Sequence, residues 1–134
     1  MYARRWLIFW VLAIGFFALA LSNDVYNVTS PPAFSWHVLL RKFYSIVAFT
    51  IVGAAYVRAS GASVLRASVA IALYSGAIEI GQHVTNGREP LIWNGVDVIC
   101  GGVGGALGAL TPWVRAKSSA RISAVQKRDR PRHV

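Results

Sequence analysis

A chain of 134 residues, 55% apolar and with a mean hydropathy of +0.48, is too short for several domains and too hydrophobic for a soluble enzyme of that size. Its apolar residues come in long runs, so one integral membrane domain is expected. A net charge of +9 raises nucleic acid as a partner, but seven of the 14 basic residues fall in the last 20 positions, directly behind an apolar run, where they read as an inner-leaflet anchor, so no nucleic-acid role is expected.

The first apolar run, Trp6 to Ser22, is 17 residues long and follows Arg4 and Arg5, enough to span with the N-terminus inside. Ala18-Leu19-Ala20 offers the small residues of a signal-peptidase site, which leaves cleavage as the alternative, while the bulky Trp10, Phe16 and Phe17 favour a retained helix. Asn23 to Trp36 is polar and interrupted by Pro31-Pro32, so it is expected as a loop or a short interfacial segment with Tyr26, Phe34 and Trp36 at headgroup level. A second helix is expected from about Val38 to Val57, with Arg41 and Lys42 near its start, where long side chains snorkel toward the interface. A turn from Arg58 to Ser63, containing Gly61, leads to a third helix from Val64 to about His83 with Arg66 snorkelling at its beginning. Thr85 to Asn94 holds the turn signal Asn86-Gly87 and the break Glu89-Pro90, and a fourth helix follows from about Gly95 to Val114. The expected fold is all-α, an integral membrane bundle of four transmembrane helices over residues 1–114, with residues 115–134 as a basic cytoplasmic tail.

With four spans, one side of the membrane holds Arg4, Arg5, Arg58, Arg66 and the seven basic tail residues, and the other holds Arg41, Lys42 and Arg88. Eleven against three puts both termini in the cytoplasm.

Two acids interrupt the apolar runs, and ionisable residues are costly there and are functional candidates by default. On a helix Glu79 shares a face with Gln82 and His83 and, behind it, with Gly76, Ala72 and Ser68. Asp97 is in line with Gly101, Gly104, Gly105 and Gly108. Small residues at four-residue spacing let membrane helices approach closely, so both acids are expected on faces buried against other helices. Glu79 lies roughly 20 Å beyond Arg66 and Asp97 roughly 27 Å from Arg115 at 1.5 Å per residue, which brings both carboxylates to the extracytoplasmic side.

Glu79-x-x-Gln82, then Gly87-Arg88, then Asp97 followed by Gly104 and Gly108, resembles the signature of the VanZ-like family of small bacterial membrane proteins over about 30 of the 134 residues, with Gly101 where that pattern usually has Asn. The resemblance implies a multi-pass protein of the bacterial cytoplasmic membrane, associated with the cell envelope. The family is named for a member linked to glycopeptide resistance, and most of its members have no assigned biochemical activity.

The chemistry open to Glu79, Gln82, Arg88 and Asp97 is of three kinds. An Arg between two acids pins helices together, because buried charge must be paired. The same planar guanidinium suits phosphate or carboxylate, so the four residues form a candidate pocket for an anionic lipid or lipid-linked envelope intermediate, the acids meeting its amine and hydroxyl groups. A membrane-embedded hydrolase using Glu79 and Asp97 is the third, either through a metal with His83 as a further ligand or by metal-free acid and base work. Nothing fixes a metal geometry, so no metal or cofactor is assigned, and Cys100 reads as a packing residue. No serine triad, phosphate-cradling glycine loop or cysteine nucleophile is present. A non-catalytic helper subunit, packing on a larger membrane protein through the Gly101 to Gly108 face, is the alternative to the lipid pocket.

Overall fold

The computed structural model describes residues 2–22, 37–86 and 95–111, apart from the side chains of residues 37, 38 and 86. Among the described residues all regular structure is helical: α1 (Tyr2–Leu21), α2 (His37–Ser60), α3 (Val64–Asn86) and α4 (Gly95–Thr111). The first three are long and apolar enough to cross a membrane, and α4 is a shorter apolar helix. At 1.5 Å per residue its 17 residues run about 25 Å, against about 30 Å of hydrocarbon. The Asn23–Trp36 loop, the 87–94 part of the second loop, Arg88, the expected end of the fourth helix at Val114 and the 115–134 tail all lie outside the described residues.

The helices begin earlier or run longer than the apolar runs alone indicate. Arg4 and Arg5 are inside α1, and Arg58 to Ser60 belong to α2 instead of the turn. A charged residue at the end of an apolar run does not stop a helix; what stops α2 is the backbone chemistry of the next residue. Gly61 adopts φ 69°, a left-handed conformation open to glycine at little cost, and donates its N–H to the Val57 carbonyl at 2.8 Å, which satisfies a carbonyl the helix end leaves unpaired. Ser63 then opens α3, its carbonyl accepting the Ala67 N–H at 2.9 Å.

Named contacts fix the relative directions. Tyr74 donates its hydroxyl to the Ala13 carbonyl and Gln82 its side-chain amide to the Ala20 carbonyl, so α1 and α3 run parallel, held at two heights. Gly104 sits against Ile46 and Phe49, and Gly108 against Thr50 and Ala54, so α2 and α4 are parallel too. Ser75 lies at Gly101 and Ala67 at Gly105, which makes α3 and α4 antiparallel. The C-terminal ends of α1 and α3 and the N-terminal ends of α2 and α4 therefore share one end of the bundle.

The apolar side chains are distributed as lipid requires. Leu65, Val69, Leu73, Ile80 and Val84 form an exposed stripe along α3, from 51% to 80% exposed, a large apolar surface of the kind that water-soluble monomers avoid. Inside, Phe49, Val52, Ile71 and Ile78 pack with Ala13, and Phe49 meets Tyr74 edge-on at 6.2 Å. A cleft of about 360 Å³ opens between α1, α2 and α3 and is lined by residues such as Phe9, Trp10, Phe17 and Ile71; among the described residues no charged side chain lines it.

Candidate functional site

Polar chemistry is gathered at the shared end of the bundle instead. Asp97, in the first turn of α4, is buried to 7% exposure, and its carboxylate accepts from the Lys42 ammonium in the second turn of α2, where Lys42 is equally enclosed at 8%. Lys42 was expected to snorkel to the interface beside Arg41; the structure turns it inward. The reason is its place on α2: Lys42, Ile46, Phe49 and Gly53 succeed one another at three- and four-residue steps, so Lys42 continues the face that packs on α4. That periodicity was the available signal, and a residue five positions into a helix is easily read as interfacial when its partner lies 55 residues away.

Asp97 is fixed from the other side as well. The Ser75 hydroxyl, 1% exposed, donates to the Asp97 backbone carbonyl at 2.9 Å, and two turns earlier in α3 Ser68 donates to the Gly102 carbonyl at 2.8 Å. Hydroxyl-to-carbonyl bonds of this kind bridge helices where no water competes. Glu79 lies one turn beyond Ser75, toward the shared end, and is partly buried. Gln82 comes next, with its amide used on the Ala20 carbonyl at 2.7 Å, in the last turn of α1, where carbonyls lack helical partners. His83 is exposed. Glu79, Gln82 and Asp97 are thus at one end of the bundle, and Asp97 is buried against Lys42 as a counter-ion. Arg88, the expected partner, lies outside the described residues. Glu79, His83 and Asp97 are not brought together as a metal-holding group.

The four glycines of α4 are in close contact with two different helices. A Cβ at Gly101 would lie 2.5 Å from the Ser75 Cβ, and one at Gly105 would lie 2.7 Å from the Ala67 carbonyl oxygen, both on α3. At Gly104 it would lie 2.5 Å from the Phe49 Cβ, and at Gly108 it would strike the Thr50 carbonyl oxygen, both on α2. The face imagined as a docking surface for a larger membrane protein is therefore filled from within the chain. A side chain as large as Asn has no room at position 101 beside Ser75 and the Ile71 carbonyl. Cys100, one turn after Asp97, is half-buried and unbonded to sulfur.

Compared with protein-family models, with curated proteins and with solved structures, the chain has no match in any of the three.

Proposed function

We propose that this chain is a VanZ-like, four-span protein of the bacterial cytoplasmic membrane, N- and C-termini inside, whose extracytoplasmic end binds an anionic lipid or lipid-linked envelope intermediate. Glu79, Gln82, Arg88 and Asp97 are the residues assigned to that site: Arg88 meets the anion, and the acids and the amide meet amine or hydroxyl groups around it. The observation that carries the reading is the buried charge of Asp97 at the bundle end that also holds Glu79 and Gln82. Intramembrane charge of this kind is expensive and is ordinarily retained for a ligand or a transported ion. Eleven basic residues on the side opposite that end, against three on its own, support the orientation.

Native mass spectrometry of the purified protein tests the proposal. A retained phosphate-bearing lipid, lost in Arg88→Ala, is the expected result. A stoichiometric protein partner with no retained lipid would replace the lipid pocket with a helper subunit that packs through a face other than the Gly101 to Gly108 stripe.

A further inference from the structure

We propose that Lys42 is a ligand-contacting residue of the same end of the bundle, the cation that receives a phosphate group, with Asp97 as its counter-ion in the unliganded protein. The inference rests on the reading of that end as a headgroup site and adds to it a residue from α2, a helix to which the signature motif assigns nothing.

Two observations carry it. Lys42 and Asp97 are buried and joined, and a buried ion pair contributes little net stability, because removing two charges from water cancels most of their attraction. The pair is also not needed to set the position of α4. Gly104 and Gly108 lock α4 to α2, Gly101 and Gly105 lock it to α3, and the Ser68 and Ser75 hydroxyls bond its backbone at two heights. Packing and the two serine bonds already fix the register of α4, so the Lys42–Asp97 pair is not required for it.

The geometry also permits exchange. The Asp97 backbone is held by Ser75, whereas the Lys42 ammonium ends a flexible four-carbon stem and can follow a new anion. Gly95 and Val96, just ahead of Asp97 in α4, are exposed, so the carboxylate is near the end of the bundle when it gives up its partner. Phosphate offers the ammonium more acceptor oxygens than one carboxylate oxygen does. A lipid headgroup and free phosphate share this chemistry.

The test uses the full chain in vesicles of equal phosphatidylglycerol and phosphatidylcholine, with lipid retention read by native mass spectrometry and stability by thermal melting. The double variant Lys42→Met with Asp97→Leu removes both charges and is expected to melt at or above wild type while retaining at least about tenfold less phosphatidylglycerol, with Lys42→Arg retaining it. Displacement of the bound lipid by millimolar inorganic phosphate would identify free phosphate as a ligand, and lack of displacement would identify the lipid headgroup; either supports the role of Lys42. A double variant that keeps wild-type retention overturns the inference, and loss in Arg88→Ala alongside it leaves the wider headgroup reading intact. A double variant that melts far below wild type also overturns it, because the pair is then structural. Wild-type protein that retains neither lipid and binds no phosphate removes both proposals together.

Discussion

Adding one methyl group at Gly108 should separate α2 from α4. A Cβ there would lie 2.5 Å from the Ala54 backbone nitrogen and 2.9 Å from the Gly53 carbonyl carbon, with the Thr50 carbonyl oxygen closer still. All three are backbone atoms that no rotamer change can move, and carbon contacts settle at about 3.5 Å, so the helices must part by about 1 Å. Overpacking of this kind costs about 1 to 3 kcal/mol, here at the upper end, and the better helix propensity of alanine returns about 1 kcal/mol. The net loss is about 2 kcal/mol, which for a chain of this length lowers the melting temperature by about 6 to 10 °C. Gly15→Ala is the control, since its Cβ meets nothing within 4 Å and should leave the melting temperature unchanged or slightly higher. Melting both variants in one detergent by loss of soluble monomer decides the matter. Equal melting temperatures for the two would refute the close α2–α4 approach and everything built on it.

Three further outcomes are expected. Lys42→Met alone leaves the buried Asp97 carboxylate uncompensated and should cost about 3 to 5 kcal/mol, recovered when Asp97→Leu is added, as thermal melting of the single and double variants will show. Gln82→Ala removes the bond to the Ala20 carbonyl and should cost about 0.6 to 1 kcal/mol, read as earlier melting and faster proteolytic loss of α1. A cysteine introduced at position 88 should react with an impermeant reagent added outside the cell and one at position 120 should not; the reverse pattern would reject the orientation.

The helices were legible in the sequence because in a bilayer a long apolar run has almost no alternative to a helix. The small-residue stripe of α4 was legible for a related reason, as four-residue spacing identifies a face whatever it packs on. What it packs on was not legible: the Gly101 to Gly108 stripe reads equally well as a surface for another protein, and only the placement of Phe49, Thr50, Ala67 and Ser75 shows it divided between α2 and α3. Lys42 as a partner of Asp97 was missed for a different reason. Local spacing pairs residues three or four apart, while Lys42 and Asp97 belong to helices that are separated in the chain and meet only through the parallel packing of α2 and α4. Gln82 was legible as polar and inward, but its use on an α1 carbonyl could not be read from its own helix.

The division of α4's glycines between two neighbours bears on how the protein is built. Neither α2 nor α3 alone offers the groove that α4 occupies: Gly104 and Gly108 need one wall, and Gly101 and Gly105 the other. The three-residue connection at Gly61 brings those walls together as the nearest neighbours in the chain, with almost no loop to close. Both walls precede α4 in the chain, so α4 is synthesised last among the described helices and brings with it the acid that meets Lys42, which ties the pairing of that charge to the closing of the groove.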